Sequence, residues 1–361
     1  MEDRFAPEVC LVQIATANGV HLLDPFLELD LTPVWDLVCD EKIETVVHAG
    51  QEDLSLCFHH AGRVPRNVYD VQISAGLAGF DYPLSLQKLI QQTLHIRLHK
   101  TKTLTDWRKR PLSDAQIQYG AEDVAHLLAV KRRLDDRLAQ WKRCDWAGEE
   151  FRRFEEPSLY RRAEEEKLTR VKGAGSLKGR QLCIVRELLT WREKRAQEWN
   201  RPVRAVLKDH LLVEIAKLEL STFQEIRDLR GLNLGDRDVR GLCEVVRLSQ
   251  AIPTEDWPQP PARDIETPTE TALIAFLTAI LRSRCLEDRV AYGLAASKRS
   301  IRELIAYCFQ GSAESDGIDL MSGWRRERFG DLLIDVLLGR AAATVAFQGD
   351  EPSIQVTPKS R

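Results

Sequence analysis

The stretch Ser113-Asp114-Ala115-Gln116-Ile117-Gln118-Tyr119-Gly120-Ala121-Glu122-Asp123 restricts what this chain can fold into more than any other. Ser113 followed three residues on by Gln116 is a capping box, in which each side chain satisfies a backbone N–H that a first helical turn leaves without a partner. The apolar spacing Ile117, Ala121, Val124, Leu128 continues along one face, so a helix is expected to start at 113 or 114. Tyr119 and Asp123 are four residues apart and therefore stand one turn above the other. Asp123 also heads a second apolar row, Leu127, Val130, Leu134, which puts a carboxylate at the edge of something buried. Alone, the pair has two readings: a packed ring beside a capping acid, or a working phenol and carboxylate.

Context bears on the choice. Val46-Val47-His48-Ala49-Gly50-Gln51-Glu52-Asp53-Leu54 reads as a buried strand running into a helix, with Asp53 in the first turn. A second carboxylate at a strand-to-helix junction suits a metal held at the rim of an α/β sheet.

At 361 residues there is room for two or three domains, each with its own core. No apolar run approaches the ~18 residues a membrane span needs, and Met-Glu-Asp-Arg does not open a signal peptide, so a cytoplasmic protein without membrane partners is expected. The eight cysteines are scattered without a Cys-x-x-Cys, which argues against a zinc site or a disulfide framework. Charge is unevenly placed. Residues 1–95 hold fourteen Asp/Glu against five Lys/Arg, whereas residues 170–209 hold eleven Lys/Arg against four acids. An acidic half could gather cations and a basic half could hold a polyanion; two ordinary helical surfaces could show the same pattern.

In chain order, the apolar runs around Asn18-Gly19 predict a hairpin over residues 8–24. Thr32-Pro33 predicts a helix to about Cys39, Ile43–His48 a strand, and Gln51–His60 a helix closed by Gly62. Asp70 is expected to cap a helix from Val71. Between Arg97 and Arg110 six Lys/Arg, among them Lys100, Arg108 and Arg110, face one acid around Trp107. Such a segment could grip phosphates and stack a base, or Trp107 could be a core anchor in a solvated loop. Residues 146–178 read as a connector, 179–257 as a helical domain, the prolines from 253 to 268 as a stiff linker, 269–347 as a further helical unit, and 348–361 as a disordered tail.

His48–Leu54, Thr105-Asp106-Trp107 with Arg110-Pro111-Leu112, and Tyr119–Asp123 together resemble the ribonuclease D family, four-acid 3′-to-5′ exonucleases whose last motif carries a tyrosine. Residues 186–195, Asn200-Arg201-Pro202 and Arg230-Gly231-Leu232 are similar to the HRDC module, and 269–347 to its degenerate second copy. The resemblance implies an RNase H-like α/β exonuclease domain over 1–145 followed by all-α HRDC helical domains. It implies two divalent ions, Mg²⁺ or Mn²⁺, with Asp53 and Asp123 as two of four ligands and Tyr119 orienting the attacking water. RNA is the implied partner, with tRNA precursors as the substrate class, held by His48, Gln51, Lys100, Trp107, Arg108 and Arg110 and, in the HRDC module, by Arg192, Lys194 and Arg195. Docking of a protein by that module is the other reading. A monomer is expected.

The family's other two acids form an Asp-x-Glu on a strand before the hairpin, and this chain does not contain it. Met1 falls a few residues after its place, and Glu2 and Asp3 are poor substitutes on a free end. Since a core without its middle strand should fold badly, the favoured expectation is a longer natural chain; a catalytically impaired nucleic-acid-binding protein is the alternative, and a DNA exonuclease a third reading.

Overall fold

The computed structural model describes residues 9–98, 105–160, 168, 171–174, 177–258, 266–310, 317–348 and 351–359. Two compact units emerge. One joins Cys10–Pro157 to Glu266–Arg361, and the other is centred on Ser158–Ile265.

The first unit opens with a hairpin, β1 (Val12–Thr16) antiparallel to β2 (Gly19–Leu23). Thr16 lies opposite Gly19, so the tight turn is Ala17-Asn18, one residue earlier than the Asn-Gly signal suggests. Gly19 starts the return strand at φ +147, a backbone state glycine adopts without a Cβ penalty. Helix α1 (Thr32–Val38) carries its proline in the first turn. Strands β3 (Thr45–Val47) and β4 (Val68–Asp70) are parallel and joined through α2 (Gln51–Ala61), as a parallel pair requires. Among the described residues nothing pairs β1 to β3: they belong to separate two-stranded sheets.

Helices α3 (Val71–Leu77), α4 (Leu86–Leu94), α5 (Asp114–Ala125) and α6 (Leu127–Gln140) follow. The apolar face expected to run unbroken past Leu128 is interrupted at His126, and the buried row Leu127, Val130, Leu134 belongs to α6. Helix α7 (Cys144–Arg152) corrects the connector expected from residue 146. Its Ala147 and Glu150 are buried and Trp146 packs on the core, so the first unit runs on to Pro157.

The second unit is all helical: α8 (Arg180–Trp199), α9 (Asp209–Leu218), α10 (Phe223–Arg227) and α11 (Asp236–Gln250). Its core is aliphatic, with Leu182, Ile184, Leu188, Leu212, Ile215 and Val246 all buried. A reciprocal capping box between Thr222 and Glu225 starts α10.

The chain then returns to the first unit with α12 (Pro268–Asp288), α13 (Lys298–Gln310) and α14 (Asp331–Leu337). These were expected to form a separate domain. Instead Leu277, Leu304, Trp324 and Phe329 share one core with Leu77, Leu89, Val130 and Leu134. Trp324 stacks on Trp146 with ring centroids 5.0 Å apart. Each such buried side chain stabilises the fold by ~1.5–3 kcal/mol, which explains why the segment is integrated with the first unit. The expected disordered tail is also corrected: β5 (Ala341–Gln348) and β6 (Glu351–Pro358) form an antiparallel hairpin. Ile354 and Val356 pack on the core, and the Ile354 N–H donates to Ser283 Oγ at 3.0 Å.

Candidate active site

Helix α5 is fixed from below and at its start. The Ser113 hydroxyl accepts from the Gln116 N–H at 3.4 Å, and Gln116 Oε1 accepts from the Ser113 N–H at 3.0 Å. One turn later a Cβ on Gly120 would lie 3.0 Å from Leu11 Cδ2 and 3.6 Å from Leu22 Cδ2, so glycine lets the helix settle directly on β1 and β2. Tyr119, beside it, is half-buried, and so is Asp123. Burial, then the neighbouring Glu122, pushes the Asp123 carboxyl up to about 6. Burial and then the charge of Asp123 likewise raise the Tyr119 phenol, which places the two groups in electrostatic reach on one face.

The second carboxylate springs from a turn that is pinned by a third acid. A Cβ on Gly50 would meet Val47 Cγ2 at 2.4 Å, so this position must be glycine for α2 to leave the strand so sharply. Buried Asp70 accepts from the N–H groups of Ala49 (3.2 Å) and Gly50 (3.0 Å) and from Gln72 (2.7 Å), capping α3 and holding the turn at once. Asp53 follows in the first turn of α2, exposed; desolvation by the surrounding protein first, then Glu52 and Asp70, raises its carboxyl. No basic side chain is among the causes acting on Asp53 or Asp123. Among the described residues no three His, Cys, Asp or Glu side chains converge on one point; Glu2 and Asp3 lie outside them.

Several residues nominated from the sequence have other duties. His48 Nε2 hydrogen-bonds the Leu84 carbonyl at 2.8 Å and faces inward, whereas Gln51 is exposed at the start of α2. Arg110 donates to both oxygens of Asp24 (2.5 and 2.7 Å), to the Cys10 carbonyl (2.8 Å) and to the Trp107 carbonyl (2.7 Å), so it braces the loop against β2. Arg108 pairs with Asp106 at 3.3 Å and is exposed. Trp107 leans on Tyr119, ring centroids 6.0 Å apart and tilted by 47°. Lys100 lies outside the described residues. In the helical unit Arg192 is buried, donating to Asp209 at 2.7 Å and to the Leu207 carbonyl at 3.0 Å. Arg195 pairs with Asp238 at 2.7 Å and with Glu198. Lys194, Arg201 and Lys208 are exposed. Sequence reasoning missed the Asp24–Arg110 brace, which spans 86 positions, and the seat of Gly120, whose only signal is a glycine inside a helical pattern.

Residues 3–139 match a 3′-5′ exonuclease family and residues 181–241 the HRDC domain. This is therefore an RNase H-like 3′-5′ exonuclease carrying an HRDC helical domain. Ribonuclease D of Acidiphilium cryptum is 32% identical over 345 residues, 94% of this chain and 86% of that protein. Ribonuclease D of Bartonella henselae is 30% identical over 343 residues, with 94% and 83% covered. At that identity and coverage the chain belongs to the ribonuclease D family. The crystal structure of Escherichia coli RNase D, described as an exoribonuclease involved in structured RNA processing, shares the fold with a TM-score of 0.80 at 24% identity, over 94% of this chain and 91% of that one.

Proposed function

We propose that this exonuclease shortens RNA from its 3′ end using divalent cations, with tRNA precursors as its substrate class. The observation that carries the reading is Asp123 on α5, half-buried, raised to about 6 and beneath Tyr119 on the same face. Asp53 and Asp123 offer hard carboxylate oxygens that no basic side chain offsets, a donor set that fits Mg²⁺ or Mn²⁺ better than a softer metal. When bound, two such ions supply activation of water and neutralisation of charge on the leaving oxygen.

The chain's own groups do the rest. The Tyr119 hydroxyl takes no hydrogen bond among the described residues and is free to orient a water toward a phosphodiester. Asp53 is positioned by the turn that Asp70 ties down. In the helical unit exposed Lys194, Arg201 and Lys208 are among the cations that can meet an RNA backbone, whereas Arg192 and Arg195 support the helices. The protein acts as a cytoplasmic monomer in this reading.

The test is trimming of a 5′-labelled RNA with an unpaired 3′ tail in Mg²⁺ or Mn²⁺, with Asp123→Ala beside the parent chain. Shortening should require both metal and Asp123, while RNA binding survives the substitution. Binding by the parent chain without any shortening would oppose the reading and favour a binding protein. A DNA end that competes as well as an RNA end would oppose the choice of RNA.

A further inference from the structure

We propose that Trp107 is a positioning residue that sets the orientation of the Tyr119 ring, and does not act by stacking on a nucleobase. The proposal rests on the role given above to Tyr119. The backbone beneath the phenol is closely seated, because Gly120 packs against the side chains of Leu11 and Leu22, 3.0 and 3.6 Å from where a Cβ would stand. The ring is a different matter. Its hydroxyl has no hydrogen-bond partner among the described residues, so the χ angles depend on what the ring touches, and Trp107 is the aromatic group against it at 6.0 Å. Tilted aromatic pairs at this separation are attractive and directional.

A buttress must itself be rigid, and the turn carrying Trp107 is tied at both ends. On one side the Trp107 carbonyl accepts from Arg110 Nη1 at 2.7 Å. That guanidinium is locked by both Asp24 oxygens and the Cys10 carbonyl, and its carbon lies 4.7 Å from the Phe26 ring centroid. On the other side the Asp106 carbonyl accepts from Gln116 Nε2 at 3.3 Å, and Gln116 is the capping-box residue of the helix bearing Tyr119. Trp107 is thereby referenced to the same hairpin and the same helix that place the phenol. A residue meant to stack on an incoming base needs an open ring face; the half-buried Trp107 already spends contact on Tyr119.

The experiment compares Trp107→Leu and Trp107→Phe in the parent chain and in a Tyr119→Phe background. Trp107→Leu should lower kcat about tenfold to a hundredfold with KM within about twofold, since a misplaced catalytic group costs rate and not binding. Trp107→Phe should recover much of that loss, and in the Tyr119→Phe background Trp107→Leu should cost almost nothing further. A rise in KM that persists in that background, or full activity in Trp107→Leu, overturns the proposal.

Two further measurements do not depend on turnover. Binding of a fluorescent RNA 3′ end should be unchanged by Trp107→Leu; weakened binding indicates base stacking and overturns the assignment. In protein carrying fluorotyrosine, the ¹⁹F resonance that vanishes in Tyr119→Phe should shift in Trp107→Leu, and an unmoved resonance overturns it too. A parent chain that trims no RNA would instead fault the functional reading, and the resonance still decides the contact.

Discussion

Asp123 shows what one half-buried carboxylate costs the fold. Its carboxyl titrates in the native protein at about 6 instead of the ordinary 3.8, so between those values the folded state holds a proton that the unfolded state has lost. Stability from this group is therefore present at low pH and falls away as pH rises through about 6. In metal-free protein at neutral pH, Asp123→Asn should raise stability on the order of 1 kcal/mol after allowance for solvent screening, and should flatten the stability profile between pH 4 and 7. Denaturant unfolding at several pH values checks this; an asparagine variant less stable at pH 7 would contradict it. At this scale the sequence is readable where the relation is local. Tyr119 and Asp123 are one helical turn apart, and the Ser113–Gln116 box announces the turn, so both positions can be read from spacing. Arg110 is hard to read for the opposite reason. Its partner Asp24 lies on a different element, and nothing in a basic run distinguishes an arginine that grips a phosphate from one already held by a carboxylate.

The same confusion recurs in the elements of the helical unit. Helix α8 shows Arg192, Lys194 and Arg195 within four positions, alike in charge and unlike in circumstance. Arg192→Ala should destabilise that unit by roughly 1–3 kcal/mol, because Asp209 keeps only its longer 3.6 Å pairing with Arg204 and the Leu207 carbonyl loses its donor. Lys194→Ala should leave stability within about 0.5 kcal/mol and, if Lys194 meets a phosphate, reduce the salt dependence of RNA binding by about one ion. Unfolding curves and binding titrations across salt concentrations separate the two, and equal behaviour of the variants in both assays would contradict the distinction. Helix existence is legible here because the 3.6-residue apolar period is strong; which cation faces inward is decided by packing against α9 and α11, which the period of α8 alone does not report.

For the whole first unit, a buried acid joins parts of the chain that are far apart in sequence. Glu150 of α7 accepts two hydrogen bonds from Arg325 and one from Trp324 Nε1 at 2.8 Å. Burial raises its carboxyl, but the hydrogen bond and charge of Arg325, with Trp324 and Arg153, outweigh that and hold it below the usual 4.5. The sign follows: this contribution is present above about pH 4.5 and is lost as pH falls through the lowered value. Glu150→Gln should therefore cost about 1–3 kcal/mol near neutrality, by leaving the half-buried Arg325 with the Leu294 carbonyl but no countercharge from Glu150, and should weaken the acid limb of the unfolding profile. Thermal unfolding from pH 3 to 7 tests it; a variant as stable as the parent at pH 7 would refute it. The two-part build of this unit was not legible. Proline-rich residues 253–268 read as a boundary between domains, and only the burial of Trp324 and Phe329 against Leu77 and Leu89 shows that the chain comes back.

That return has a consequence for how the protein is made. The segment up to Pro157 leaves the ribosome with the apolar surface of α3, α4 and α6 uncovered, and the residues that cover it begin only at Glu266. At ~5–20 residues per second, synthesis of the intervening Ser158–Ile265 lasts roughly ten seconds, during which the helical unit can finish folding while the exonuclease half waits. Throughout that interval the exonuclease segment exposes apolar surface of the kind chaperones recognise, and a ribosome stalled before Glu266 would release a chain with half a core.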